Sequence, residues 1–182
     1  MTAKAVLDFW LKAGPKAWFA KDDAFDQAIR DGFEPVHMQA SRGELADWAE
    51  TPEGALALLI LLDQFPRNIY RASAHAFATD PLALTTARAA IKRGFDGQLA
   101  PELRPFVYLP FEHSERMENQ DHSVALCEAH RDATGDKDTL RWAILHRDII
   151  QRFGRFPHRN RALGRITTPA EQAFLDGGGF AG

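Results

Sequence analysis

The sequence lacks the features that hold together a secreted, membrane-spanning or strand-rich protein. It has one cysteine, Cys127, which can form neither an internal disulfide bond nor a cysteine zinc site. Its most apolar stretch, residues 55–62, is much shorter than the roughly 20 residues that a transmembrane helix needs. Residues 1–10 show no secretory signal pattern. We therefore expect a cytoplasmic protein with a buried helix at 55–62 and no membrane contact.

A strong charge of either sign is also missing. The 22 basic and 25 acidic residues give a net charge of −3 and a pI near 6.2, which disfavours a nucleic-acid-binding protein. Hydrophobic residues make up 45% of the chain, as in ordinary globular domains, which excludes a disordered protein. Since no composition shift divides the sequence, we expect a single domain over residues 1–176. The glycine-rich residues 177–182 are expected to form a flexible tail.

Signals for β-strands are scarce, whereas signals for helices recur along the chain. Valine and isoleucine number 12 together, against 47 for alanine and leucine, and branched side chains are the ones that favour strands. Thr51, Asp80 and Thr168 each precede a proline, which is typical of a capped helix start. Short linkers favour antiparallel packing of successive helices. These features predict an all-α fold, an irregular array of antiparallel helical hairpins, with helices at 3–13, 23–40, 44–49, 52–64, 81–93, 101–109, 111–117, 119–133, 138–153 and 169–176.

Two of the predicted helices end in similar polar segments, residues 65–68 (FPRN) and residues 156–160 (FPHRN). Because proline disfavours helical backbone in the residue before it, both helices should break at their Phe-Pro pair. Asp63 would then lie at the negative end of a helix dipole and would need a cation such as Arg67 beside it. Each segment can be a simple helix stop, or it can present arginine and asparagine to a ligand.

Charge is unevenly distributed in the second half of the chain. Residues 112–138 hold eight acidic and three basic side chains, whereas residues 139–165 hold seven arginines and one acidic residue. Arginine suits forked contacts with carboxylate and phosphate groups. Either the two segments pack together and neutralise each other, or the arginines line a cleft for an anionic ligand.

Histidines and carboxylates supply the candidates for proton transfer. Residues 110–115 (PFEHSE) place two carboxylates around His113, and His146 falls in the middle of an apolar helix face. His146 can be a core histidine hydrogen-bonded to a neighbour, or a second proton carrier beside His113 and Glu115. The sequence has no phosphate-binding glycine loop and no complete set of metal ligands, so we expect neither a cofactor nor a metal site.

Five sequence blocks follow one another in a specific order. They are VLDFW (6–10), LDQFPRN (62–68), FATDPLA (77–83), PFEHSE (110–115), and HRDII with RFPHRN (146–160). In these blocks the chain resembles a bacterial family catalogued as domain of unknown function 924, over roughly residues 5–176. The resemblance implies an all-helical fold similar to tetratricopeptide-like helical hairpins, and it implies no particular reaction, ligand or catalytic residue.

The polar segments lead to three hypotheses for function. The first is a binding module that holds the carboxylate or phosphate of a small molecule or of an acidic peptide. Its ligand-binding residues would be Asp63, Arg67, Asn68, Arg155, His158, Arg159 and Asn160. The second is an enzyme, hydrolase-like or lyase-like, that acts on a small anionic substrate with His113, Glu115 and His146 as catalytic residues. The third is a structural scaffold in which the same residues serve as helix caps and ion pairs.

Overall fold

The computed structural model describes residues 1–181, and none of these residues lies in a β-strand. The all-α fold expected from the sequence is therefore confirmed. The α-helices are α1 (Ala3–Ala13), α2 (Pro15–Trp18), α3 (Asp23–Ser41), α4 (Pro52–Leu59), α5 (Phe65–Ile69), α6 (Asp80–Lys92), α7 (Pro105–Glu112), α8 (Met117–Thr134), α9 (Lys137–Phe153) and α10 (Pro169–Asp176). Short 3-10 turns lie at Ala46–Glu50, Ala74–Phe77, Asp96–Gln98, Pro101–Leu103 and Pro157–Arg159.

Two of the three predicted helix starts have the expected cap. The Thr51 hydroxyl accepts a hydrogen bond from the backbone three residues on, and Thr168 opens α10 with a complete capping box. The third start differs from the prediction, because α6 already begins at Asp80 and Thr79 takes the capping position. The Thr79 hydroxyl donates to a distant backbone carbonyl, and the Asp80 carboxylate accepts two hydrogen bonds from Arg67.

Contacts between Cα atoms divide the chain into two compact units, of which the first comprises residues 1–71 and 75–110. Its centre is α4, which packs against α1 and α6 and is buried from Gly54 to Leu59. The fully buried rings of Trp10 and Phe65 meet edge to face with their centroids 5.7 Å apart. The expected buried helix at 55–62 is thus confirmed.

The predicted helix break at Phe65 is wrong. The chain passes from α4 through one wide π-helical turn, Ile60–Gln64, directly into α5. In this turn the Phe65 N–H donates to the Ile60 carbonyl, five residues back. Pro66 then takes an early position of α5, where a helix tolerates a residue without an N–H group. The wide turn therefore lets a helical chain continue across a proline.

The second unit comprises residues 72–74 and the chain from residue 111 onward. Its main element is the pair α8 and α9, which pack together and are joined by Gly135 and Asp136. Gly135 has a positive φ of 82°, and Asp136 caps α9 through its carboxylate. The predicted helix at 111–117 does not form, since α7 ends at Glu112 and α8 begins at Met117. The helix before the second Phe-Pro pair ends at Phe153, as predicted, but left-handed Gly154 terminates it before the chain reaches Phe156.

Residues 177–181 have defined contacts in the second unit. The Gly179 N–H donates to the Phe174 carbonyl at 2.9 Å, and the Phe180 ring packs against Trp142 and His146. The flexibility expected for residues 177–182 stays a prediction, as does the single domain over residues 1–176, and Gly182 lies outside the described residues. No helix within residues 1–181 is long and apolar enough to cross a membrane.

Candidate functional site

The first Phe-Pro segment, residues 65–68, lies beside backbone carbonyls that the wide turn leaves without their usual helical donors. Pro66 has no N–H for the Leu62 carbonyl, and the Thr79 hydroxyl donates to that oxygen at 2.6 Å. His37 Nδ1 lies 2.8 Å from the Leu61 carbonyl, whose usual donor, the N–H four residues on, bonds elsewhere. Distant side chains therefore complete the hydrogen bonding of this turn. Burial lowers the pKa of His37 despite this hydrogen bond.

Arg67 completes the same turn and neutralises two carboxylates. Its Nη1 donates to the Asp63 carbonyl at 2.6 Å and lies 3.3 Å from Asp63 Oδ1. The two terminal nitrogens also form a forked contact with Asp80, at 3.0 and 3.2 Å. The Asp63 side chain is only 1% exposed, so it lies in the protein interior beside the cation. The expectation that Arg67 compensates Asp63 is confirmed.

Asn68 belongs to a second internal network of the first unit. Its Nδ2 donates to Asp26 Oδ1 at 2.7 Å, and Asp26 also pairs with Arg71. Asp26 lies on α3, so this pair ties α3 to the chain after α5. The three sequence-predicted ligand residues of the first unit, Asp63, Arg67 and Asn68, thus all have polar partners within that unit.

Two arginines that follow α9 also bind carboxylates of their own unit. Arg155 forms a forked pair with Glu171 at 2.6 and 2.9 Å, and Arg165 forms one with Glu115 at 2.7 and 3.0 Å. The Arg155 guanidinium holds the pKa of Glu171 well below its usual range. For Glu115, burial acts to raise the pKa, but hydrogen bonds from Arg165 and the Phe156 N–H outweigh it and lower the pKa.

A different environment surrounds three histidines of the second unit, His113, His146 and His158. With Glu112 and Arg159 they form what we call the histidine cluster. The rings of His113 and His146 have centroids 6.3 Å apart and meet edge to face. The fully buried Phe156 ring lies 5.5 Å from His146 and 5.6 Å from His158. Two of the predicted catalytic residues, His113 and His146, are therefore neighbours.

Glu112 and His146 form a buried pair at the centre of the histidine cluster. His146 Nδ1 lies 3.0 Å from Glu112 Oε1 and 2.9 Å from the Trp142 carbonyl oxygen. Since both neighbours are acceptors, Nδ1 carries the proton, and Nε2 holds the lone pair in the neutral ring. The core-histidine interpretation of His146 is confirmed, and the same geometry gives its outer nitrogen the form of a base.

Arg159 and Asn160 are the buried members of the second Phe-Pro segment. Arg159 is 6% exposed, and its Cζ lies 4.5 Å from the centroid of the Phe156 ring, a cation–π contact. Asn160 is fully buried, and its Nδ2 donates to the Thr167 hydroxyl at 3.4 Å. Arg159 therefore contacts the same Phe156 ring as His146 and His158, whereas Arg155 is held at Glu171.

The sequence does not single out Glu112 of this cluster, nor Phe180, whose ring packs against His146 and His158. Glu112 lies in the same block as His113, but its neighbour Glu115 was chosen as the catalytic carboxylate. The signal that favours Glu112 is its place at the end of α7, next to the apolar residues 106–111. Phe180 was missed because it follows three glycines and was assigned to a flexible tail.

The cysteine, the potential metal ligands and a surface groove bear on other possible functions. Burial raises the pKa of the Cys127 thiol to about 12, so this cysteine is a core residue and not a nucleophile. Within residues 1–181, no group of three histidine, cysteine or acidic side chains is arranged to hold a metal ion. A surface groove of about 380 Å³ lies along α9 and is lined by Arg131, Lys137, Leu140, Arg141 and Ile144, which are not predicted site residues.

Comparisons with known proteins place the chain in a family. The family model described as a bacterial protein of unknown function, DUF924, matches residues 6–179. The chain is similar to a solved structure of a protein of unknown function from Agrobacterium tumefaciens, with 48% identity over 96% of this chain and 97% of that one, and a TM-score of 0.91. No curated protein matches. The family resemblance seen in the sequence blocks is confirmed, and the chain belongs to the bacterial DUF924 family.

Proposed function

We propose that the second unit is a binding module for a small organic anion and that the anion binds at the histidine cluster. The observation that carries this proposal is the Phe156 ring, which the buried Arg159 guanidinium shares with the imidazole rings of His146 and His158. A buried guanidinium favours a carboxylate or phosphate, and the His158 imidazole can add a hydrogen-bond donor. The proposed contacts to the anion come from Arg159 and His158.

Three predicted ligand residues are left out of this site. Arg67 contacts Asp63 and Asp80, and Asn68 contacts Asp26. These contacts explain both side chains as parts of the internal structure. Arg155 has a forked contact with Glu171. These contacts assign Arg67, Asn68 and Arg155 to the internal structure of the protein, so the proposed site does not use them.

The test is a titration of the protein with four anions: propanoate, 3-phenylpropanoate, inorganic phosphate and phenyl phosphate. Binding should appear as heat in calorimetry and as shifts of the histidine ring signals in NMR spectra. We expect Arg159→Gln to weaken binding at least tenfold, with circular dichroism as the check that the variant remains folded. The proposal fails if none of the four anions, and no acidic peptide, binds to the folded wild-type protein or to a Phe180→Ala variant.

A second candidate function, acid–base catalysis, is favoured by the pair of Glu112 and His146. A carboxylate that holds the Nδ1 proton leaves Nε2 ready to accept a proton from a bound anion or water. We expect slow hydrolysis of p-nitrophenyl phosphate or p-nitrophenyl acetate if this function is present. Glu112→Gln and His146→Gln should then abolish turnover while phosphate binding persists. Equal turnover in wild type and both variants would exclude this function.

Two finer features belong to the same proposal. The helical pairs, of which α8 and α9 are the clearest, support a tetratricopeptide-like architecture, although no repeat marks it in the sequence.

A cytoplasmic location is supported by the unpaired thiol of Cys127, which suits a reducing compartment. Fractionation of cells that make the protein tests the location directly.

A further inference from the structure

The Phe180 ring lies among the aromatic and imidazole rings of the histidine cluster. Its centroid is 4.5 Å from that of His146 and 5.2 Å from that of His158, both in edge-to-face geometry. The Trp142 ring lies 6.2 Å away. These are the distances at which aromatic rings attract one another beyond simple burial. A six-membered ring therefore fits between His146, His158 and Trp142, and we call this space the ring slot.

The chain reaches the ring slot by a path that needs glycine. Gly178 has a positive φ of 78°, in the left-handed region that disfavours other residues. A Cβ atom on Gly179 would lie 2.5 Å from the Phe174 carbonyl oxygen and 2.6 Å from two Phe174 ring carbons. The backbone of Gly179 thus passes directly over Phe174, to which it also donates a hydrogen bond. A side chain at either position would disturb the approach of Phe180.

Phe180 also has the arrangement of a replaceable occupant. It is half-buried, and it packs at the edge of the cluster formed by Ile149, Ile150 and Phe156. Three consecutive glycines connect it to α10, and each of them donates a backbone hydrogen bond to residues 173–175. Because the Phe180 ring is half-buried, it can leave its slot by rotation about its side-chain bonds at a lower cost than a fully buried ring.

We propose that the ring slot is the binding place of an aromatic ring on the anionic ligand, and that Phe180 occupies it when the ligand is absent. This inference rests on the proposed function and narrows the ligand class to an aryl carboxylate or an aryl phosphate. The anionic group would meet Arg159 while the ring replaces Phe180 beside His146 and His158. Residues 177–181 then act as an internal competitor of the ligand.

The competition between Phe180 and the ligand's aryl ring for the ring slot can be measured as a change in apparent affinity. A ring tethered by a segment of a few residues is present at an effective concentration of about millimolar. An aryl anion must displace it, so its apparent affinity falls by the fraction of molecules with an empty slot. Removal of the Phe180 ring should therefore strengthen binding of an aryl anion about tenfold or more, and should leave a small anion without a ring almost unaffected.

The experiment compares 3-phenylpropanoate with propanoate, which has the same carboxylate and no ring. Both are titrated by calorimetry into wild type, Phe180→Ala and Gly179→Ala. Phe180→Ala removes the occupant, and Gly179→Ala keeps the Phe180 side chain but pushes its backbone away from Phe174. Phe19→Ala is the matched control, because Phe19 is an exposed phenylalanine of the first unit. Thermal unfolding of each variant confirms that it is folded.

The inference is supported if both variants at residues 179 and 180 bind 3-phenylpropanoate about tenfold more tightly than wild type and Phe19→Ala does not. It is overturned, while the proposed function stands, if propanoate and 3-phenylpropanoate bind equally and no variant changes either affinity. If no anion binds to any of the folded proteins, the proposed function fails and the inference fails with it. Phenyl phosphate and inorganic phosphate, titrated in the same way, decide between the two anionic groups.

Discussion

The two Phe-Pro segments share four residue types but differ in backbone and surroundings. Phe65 is helical, with φ of −59° and ψ of −39°, because a wide π-helical turn carries the chain across Pro66. Phe156 is extended, with φ of −86° and ψ of 110°, as is usual before a proline. Both phenylalanines are fully buried, so each anchors its segment in a core. The shared residues thus specify a buried aromatic anchor and a proline, whereas the residues around each segment determine its backbone conformation.

The surroundings also separate the arginines of the two segments. Arg67 meets Asp63 and Asp80, so its charge serves to neutralise buried acids. Arg159 lies on the face of Phe156, a ring that also contacts His146 and His158, and His158 can add a donor for an anion. One segment therefore has the composition of a structural joint, and the other that of a binding site. The predictions below test this difference, beginning with the largest effect.

Arg67→Ala should lower the free energy of unfolding by about 3–5 kcal/mol, because it removes a cation from the buried Asp63 carboxylate. Urea denaturation measures the change. Arg67→Lys is the matched control: it keeps the charge but loses the forked contact with Asp80, and it should fall between wild type and Arg67→Ala. A decrease in unfolding free energy below about 1 kcal/mol in Arg67→Ala would contradict a structural role for Arg67. Arg67 would then again be a candidate ligand residue.

Glu115→Gln should lower the free energy of unfolding by about 2 kcal/mol at neutral pH, through loss of a charged pair with Arg165. The pKa of Glu115 is lower in the folded protein than in the unfolded chain. Its contribution is therefore complete above the unfolded value of about 4.3 and is lost as the pH falls through the folded value. The melting temperature of wild type should fall more steeply below about pH 4 than that of the variant.

A second measurement assigns this acid effect to the correct unit. Cys127 is buried in the second unit and is the single cysteine of the chain, so its labelling by a thiol reagent reports opening of that unit. We expect faster labelling in Glu115→Gln than in wild type. Equal labelling rates, or parallel melting curves across the acid range, would contradict a stabilising role for the pair of Glu115 and Arg165.

The fold class could be predicted because it depends on local features. The excess of alanine and leucine, the capped starts at Thr51 and Thr168 and the apolar run at 55–62 each act within a few residues. The wide turn before Pro66 could not be predicted in this way. It depends on His37 and Thr79, which donate to the Leu61 and Leu62 carbonyls from 24 and 17 residues away. A rule about the residue before proline contains no information on such partners.

The candidate site could be predicted only as a set of side chains. The sequence indicated that His113 and His146 would be polar residues of interest, and the fold makes them neighbours. It could not assign Glu112 to His146 in place of Glu115, since both carboxylates flank His113 at short spacing. That choice depends on where α7 ends and on Arg165, which pairs with Glu115 from 50 residues away. Long-range charge pairing is the part of a site that local pattern does not reveal.

Arg161→Ala should have the smallest effect, a change within about 0.5 kcal/mol in unfolding free energy. Arg161 follows the second Phe-Pro segment directly, but it is exposed, whereas Arg159 is buried. Exposed charges act on an anion through a screened field, so calorimetry in about 0.15 M salt should show nearly unchanged affinity for 3-phenylpropanoate. If Arg161→Ala weakens binding as much as Arg159→Gln, the seven arginines of residues 139–165 attract anions as a diffuse field. The two segments would then differ in net charge and not in a specific binding site, because binding at a specific site has to depend mainly on the buried Arg159.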